Sequence, residues 1–338
     1  MTVGAFEKPR GAIGNIMIMA FIGSMFYDAI FNSPTAMALK DEKFDLVITE
    51  AFFFQEPLLG FAHHFGCPSV VLSPIGYMLH MNYFSGGAVN PSYVPNVFLA
   101  GMDTDSFVGR LRNTFLSSLW MSTYLLLYLP QANTRLREVF PTAPSAQDLM
   151  RNISLILINN NNALMDPVPL APSVIEIPGI HIKPGKPLPA DLKKWIEDSK
   201  DGIVYFSFGS NIQPGLLPAD KRDAIFDSFR KLKQRVLVKW NAEIPPNPPK
   251  NCRFEDWVPQ QEVLVHPNLK VFVSHGGLLS TQEAVYYGAA VIAIPVYGDQ
   301  HMNADTATAK GFGVTVSLYE LTTELLDAAL HEVISNPR

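Results

Sequence analysis

The chain holds 338 residues, with 26 Lys+Arg against 31 Asp+Glu, a formal net charge of −5. At about 150 residues per domain that length predicts roughly two domains, and 48% apolar against 17% charged residues excludes a disordered chain. The mildly acidic balance argues against a nucleic acid as partner, which takes clustered Lys and Arg; the two cysteines, Cys67 and Cys252, are too few for a metal knuckle or a disulfide framework, and two unpaired thiols are the expectation over one long-range disulfide.

Residues 11–27 (GAIGNIMIMAFIGSMFY) are uncharged and follow Lys8 and Arg10, the outline of a secretory signal. No small-residue cleavage site stands out, and helix-like sequence runs on past Asp28, so a buried helix is the better reading. Residues 44–50 (FDLVITE) predict a strand, 56–65 an amphipathic stretch and 69–73 (SVVLS) a second strand. The uncharged run 113–134 contains Ser117, Ser122 and Pro130, too polar for a membrane span, and predicts one long core or interfacial helix. Asn152-Ile-Ser154 is a glycosylation sequon, meaningful in a secretory lumen, and 154–159 (SLILIN) is a third strand. Strands alternating with helices predict parallel sheets with crossovers. Six of the twelve residues 178–189 (PGIHIKPGKPLP) are Pro or Gly, which marks a linker between domains.

Beyond the linker the pattern restarts. Strands are predicted at 203–208, 235–240, 270–274 and 291–294, and helices at 221–232, 279–287 and 321–334. In such a doubly wound sheet ligands sit at the carboxyl ends of strands. Three such ends carry small or polar residues: Gly209-Ser210, His275-Gly276-Gly277 and the loop 296–300. A glycine there lets a ligand approach the backbone, and the helix that follows offers N–H groups to an anion. His275 and Ser280 add side-chain groups, making a diphosphate cradle that lacks the Lys of a phosphate-binding loop. Neither G-x-x-x-x-G-K-[ST] nor G-x-G-x-x-G occurs. Trp257 offers a face to a flat base, Gln260 an amide to its edge or to a ribose, Glu283 a carboxylate to a diol, and Asp299-Gln300 acceptors and an amide to sugar hydroxyls. Their order describes a nucleoside diphosphate sugar.

These residues carry a resemblance. Trp257-Val-Pro-Gln260, His266-Pro267, Phe272-Val-Ser-His275-Gly-Gly, Ser280, Glu283-Ala284, Pro295, Asp299-Gln300 and Asn303 closely resemble the signature of the UDP-glycosyltransferases. Residues 200–338 look like the family's donor domain, 40–180 more loosely like the later part of its acceptor domain, and phrases such as FDLVITEAFF and VYFSFGSN resemble the insect-like microsomal branch. The resemblance implies an α/β chain of GT-B fold, two Rossmann-like doubly wound domains facing a cleft: an incomplete acceptor domain at 1–177, the linker, and a donor domain at 190–338. It implies an inverting transfer of glucose or glucuronic acid from a UDP-sugar to a hydroxyl of a small lipophilic acceptor, with no metal and no cofactor. Trp257 then stacks on uracil, Gln260 lies near base or ribose, and Glu283 holds the ribose. Ser210, His275, Gly277 and Ser280 contact the diphosphate, and Asp299 and Gln300 contact the sugar. Leu279 stands where plant members have Asn.

The family's base is a His near the end of the first strand, oriented by an acidic residue whose position Glu50 matches. No His precedes Glu50; His63, His64 and His80 follow it and fit that role poorly. The expectation is a chain short at both ends, its full-length relatives sitting in the endoplasmic reticulum membrane on the luminal side and able to form homo- or hetero-oligomers. A module that binds UDP-sugar without turnover and pairs with full-length homologues is the alternative; a lipid-linked sugar transferase of the same fold is a third reading.

Overall fold

A computed structural model describes residues 12–52, 54–97, 99, 104–165 and 167–336. It divides into two compact units, one closing at Pro178 and the other running on from Gly179.

The first unit is built on a parallel sheet of four short strands in sequential order: β1 (Val47–Thr49), β2 (Ser69–Ser73), β3 (Leu155–Ile158) and β4 (Val174–Glu176). The predicted strands at 44–50, 69–73 and 154–159 are there; β4, three residues long at the sheet edge, was not foreseen. Residues Ala12–Phe31 form a helix that buries Tyr27 and Phe31, the latter against Phe61 and Phe140, while Phe21 and Met25 face outward. No helix among the described residues is long and apolar enough to cross a membrane.

The single helix expected over 113–134 is in fact interrupted. A helix at Phe107–Thr123 passes into a wide π turn at Tyr124–Tyr128 and resumes at Leu129–Val139. Pro130 explains the break: it has no N–H, and its ring crowds the carbonyl four residues earlier, so the turn widens. The wide turn aims two tyrosines at Glu56, which is fully buried without an ion-pair partner among the described residues. Tyr124 donates to Glu56 Oε1 at 2.5 Å. Tyr128 has one proton for two acceptors, Glu56 Oε2 and the Phe54 carbonyl, each 2.7 Å away. A protonated Glu56 resolves that shortage by donating to Tyr128. Burial accordingly pushes the carboxyl up to about 7, against the opposing pull of the two tyrosine hydrogen bonds. Beside it His80 is fully buried, bonded to the Phe52 carbonyl at 2.9 Å, and burial drives its pKa down to about 3. It is a core residue.

The second unit carries a six-stranded parallel sheet: β5 (Ile203–Ser207), β6 (Arg235–Lys239), β7 (Cys252–Glu255), β8 (Leu269–Ser274), β9 (Val291–Ala293) and β10 (Gly313–Thr315), in the order β10-β9-β8-β5-β6-β7. The winding starts at β5, runs outward through β6 and β7, then returns to β8 on the other side of β5. The direction therefore reverses between β5 and β8, the point where open sheets of this kind bind ligands. Alternation along β5 splits the core: Val204 and Phe206 pack with Phe229, Trp240 and Leu326 on one face, Ile203 and Tyr205 with Val263 and Ala304 on the other. The unforeseen strands β7 and β10 are the two sheet edges, where partial exposure leaves no continuous apolar run to read.

Glu56 yields a test of the first unit. Its folded pKa lies above the unfolded value, so its contribution to stability is complete below pH 4.5 and is lost as the pH rises through 7. The expected loss is about 3 kcal/mol over that window. Urea unfolding at pH 5 and pH 8 should show this fall in the wild type and a flatter profile in Glu56→Gln; equal slopes in both would contradict the assignment.

Candidate functional site

Strand β5 ends at Ser207, and the chain then turns at Gly209, φ +73°, a conformation that only glycine adopts without strain. Next to it β8 ends at Ser274, followed by His275, Gly276 and Gly277, and a helix spans Leu278–Tyr286. The His275 ring lies between the two turns. A Cβ on Gly209 would stand 2.6 Å from its Cε1, and one on Gly277 2.5 Å from its Nε2. Both glycines are therefore required by the imidazole, and Gly277 also caps the helix. Gly276, φ +79°, would bring a Cβ to 3.0 Å from the Gln300 carbonyl oxygen.

His275 is 8% exposed. Burial first, and the nearby Lys239 ammonium second, push its pKa down to about 4, against the opposing hydrogen bond to the Ser207 backbone. The ring is neutral near pH 7, and its buried Nδ1 has no hydrogen-bond partner among the described residues.

Lys239, at the end of β6 and not part of a phosphate-binding loop, is a residue the sequence reading gave no role. The pairing of Phe206 with Val238 puts Lys239, the last residue of β6, at the same sheet end as Gly209. Its Nζ donates to the Gly209 carbonyl at 3.0 Å and reaches Ser210 Oγ at 3.4 Å. It also lies 4.3 Å from the centre of the Trp257 ring, which is 70% exposed. The sequence signal is a lysine closing a strand whose middle three residues are apolar; what it touches depends on strand order.

The remaining residues form two clasps. In the first, Gln260 accepts from the Tyr205 hydroxyl at 3.2 Å and donates to Ser280 Oγ at 3.0 Å and to Glu283 Oε2 at 2.6 Å. Glu283 Oε1 accepts from Gln261 at 2.9 Å, and His181 Nε2 stands 3.5 Å away. Gln261 also accepts from the Lys183 N–H at 3.0 Å, so residues 181–183 are stitched to this carboxylate. In the second, Asn303 donates to the Gly276 carbonyl at 2.9 Å and to Asp299 Oδ2 at 2.8 Å. Burial raises the Asp299 carboxyl, while hydrogen bonds from Asn303 and the backbone N–H groups of Asp299 and Leu278 oppose it. Gln300 is buried and accepts from the Val296 and Tyr297 N–H groups at 2.9 and 3.0 Å, so its oxygen fastens its own loop.

Ser210, Trp257, Gln260, His275, Gly277, Ser280, Glu283, Asp299 and Gln300 thus all belong to the second unit. Leu279, in the plant-type Asn position, is 43% exposed. Glu50 lies in the first unit, one residue beyond β1, half-buried, and burial raises its pKa. His63 and His64 are exposed; His64 bonds to the Lys40 carbonyl at 2.9 Å. Asn303, part of the sequence signature but given no role there, is the tie between Gly276 and Asp299.

The family model described as UDP-glucoronosyl and UDP-glucosyl transferase matches residues 12–338. Among curated proteins, UDP-glycosyltransferase UGT5 of Dactylopius coccus is 37% identical over 298 residues, covering 88% of this chain and 56% of the relative. Human UDP-glucuronosyltransferase 1A9 is 34% identical over 304 residues, covering 88% and 56%. Rat 2-hydroxyacylsphingosine 1-beta-galactosyltransferase is 32% identical over 313 residues, covering 90% and 56%. The chain thus spans a little over half the length of these relatives. Among solved structures, the calicheamicin glycosyltransferase CalG4 superposes with a TM-score of 0.59 at 16% identity, covering 98% of this chain and 75% of that one. A UDP-glucose: anthocyanidin 3-O-glucosyltransferase in complex with UDP gives 0.55 at 17%, covering 90% and 69%. At these identities the structures speak for the fold, which is GT-B.

His275 sets a pH signature. Its folded pKa lies below the unfolded value of 6.5, so the stability it contributes is present above pH 6.5 and is lost as the pH falls through 4. NMR of the ring nitrogens should report a neutral imidazole from pH 8 down to 5; a ring protonated at pH 6 would refute the assignment.

Proposed function

The chain belongs to the UDP-glucoronosyl and UDP-glucosyl transferase family, and on that premise we propose that its second unit binds a UDP-sugar and that it serves an inverting transfer of glucose or glucuronic acid. The acceptor is a hydroxyl of a small lipophilic molecule, held by residues 1–177, while residues 190–338 hold the donor. One observation carries the reading. His275, with its buried Nδ1, and the N-terminus of the Leu278–Tyr286 helix lie at the switch point of the sheet, and the exposed Trp257 ring is linked to it through Lys239 Nζ, 4.3 Å from the ring centre and 3.0 Å from the Gly209 carbonyl. A flat base, an anion and a sugar each find a matching surface there.

In this reading uracil stacks on Trp257 and the ribose diol meets Glu283, whose partner Gln260 keeps its carboxylate aimed. Ser210, His275, Gly277 and Ser280 face the diphosphate. Asp299 and the amide N–H of Gln300 face the sugar hydroxyls. The acceptor oxygen forms its bond to C1 as the bond from C1 to the diphosphate breaks and UDP leaves; its proton goes to the family's His base, which no histidine of residues 1–338 fits and which Glu50 would orient. Helix N–H groups and the neutral imidazole stabilise the charge growing on the leaving group, so no metal is called for. Losing one such donor costs roughly 3 kcal/mol of barrier.

Calorimetry with UDP tests the binding half, and the sugar-facing residues separate it from turnover. His275→Ala should weaken UDP at least tenfold; unchanged affinity would remove the diphosphate assignment. Asp299→Asn should leave UDP affinity within about threefold while lowering transfer, or the slow hydrolysis of UDP-glucose, at least a hundredfold. Equal losses in both would contradict its place at the sugar. UDP binding without turnover in the wild type would favour the reading of a donor-binding module.

A further inference from the structure

Lys239 is a basic side chain at this site to which the reading above assigns nothing. It is 9% exposed, and no carboxylate pairs with it among the described residues. Its ammonium rests on neutral groups alone, the Gly209 carbonyl at 3.0 Å, Ser210 Oγ at 3.4 Å and the face of Trp257 at 4.3 Å. A charge taken out of water on neutral acceptors pays a desolvation penalty that only a counter-ion offsets fully. Burial accordingly lowers the Lys239 pKa.

The position matters as much as the charge. Lys239 reaches Ser210 and the indole at the same time, so the ring face it covers borders a residue assigned to the diphosphate. In the reading of the site as one for a UDP-sugar, a nucleotide with its phosphates at Ser210 lays its base on that face. An ammonium and a pyrimidine cannot share it. The four-carbon stem of lysine lets the ammonium move several ångström without backbone change. A cation–π contact to a ring that is itself 70% exposed is weak beside a charge-assisted bond to phosphate.

We propose that Lys239 is the diphosphate counter-ion of this site and that it guards the Trp257 face until a diphosphate draws it away, so that phosphate capture and base stacking are one coupled event. The proposal rests on the reading of the site as one for a UDP-sugar. It makes the two halves of the ligand cooperative: pyrophosphate opens the ring to uridine, and by reciprocity uridine favours pyrophosphate. A site of pre-formed, independent subsites has no such coupling.

The test is calorimetric titration of the whole chain with UDP, and with uridine in the absence and presence of saturating inorganic pyrophosphate. In the wild type, uridine should bind several-fold tighter when pyrophosphate is present. Lys239→Met should lose at least tenfold in UDP affinity, bind uridine as well as or better than the wild type, and show no coupling; Lys239→Arg should restore the UDP affinity. A purely structural lysine would lower uridine and UDP together, and that result overturns the proposal, as does Lys239→Met binding UDP like the wild type. Should Lys239→Met fail to fold, the wild-type coupling decides alone, and its absence overturns the proposal. A wild type that binds UDP but shows none of these effects sinks the role of Lys239 and leaves the reading of the site standing. A wild type that binds neither UDP nor uridine sinks that reading, and this proposal with it.

Discussion

The wedge of the His275 ring between Gly209 and Gly277 is the contact on which the second unit's site depends. It closes the gap between the ends of β5 and β8, the two strands at which the sheet reverses its winding. Burial keeps the ring neutral, and the adjacent Lys239 ammonium adds to that. Any side chain at either glycine would have to push the imidazole aside, so the backbone, the ring and the lysine are constrained together. Close packing of this kind leaves few alternative arrangements.

Around that wedge the polar residues hold one another. Gln260 is bonded on both ends of its amide, Glu283 on both oxygens, and Gln300 through its oxygen to its own loop. Groups fixed this way need little reorganisation when a ligand arrives, which is how preorganised sites stabilise developing charge. The same bonds have a cost: a ribose diol must share Glu283 with Gln260 and Gln261 rather than find it free. Through Gln261 and His181 the carboxylate is also tied to the segment that follows Pro178.

The first unit solves a different problem with the same chemistry. Glu56 has aromatic neighbours and two tyrosine hydroxyls instead of a cation, so it comes to rest as a carboxyl of raised pKa. The Pro130-induced wide turn puts Tyr124 and Tyr128 on one side of the helix to reach it. The stacked Trp120, Tyr124 and Tyr128 rings build the wall around it.

The sequence alone determined the alternation of strands and helices, because central parallel strands are continuous apolar runs bounded by glycine, and it placed Gly209, His275, Gly277, Glu283 and Asp299 at strand ends and on the helices that follow them. Those residues form a motif because each acts from its own backbone position, close to a turn or helix N-terminus that local sequence defines. Edge strands β4, β7 and β10 escaped it, since half-solvated strands need no apolar run. The interruption at Tyr124–Tyr128 escaped it too, since Pro130 marks a break but not its form. Only the tertiary structure brought Lys239 beside Ser210 and Trp257, bonded Gln260 to Tyr205, and buried Glu56 against two tyrosines 68 and 72 positions away. These contacts depend on strand order and on which faces pack together, and a chain of residues carries no local pattern from which that order can be read.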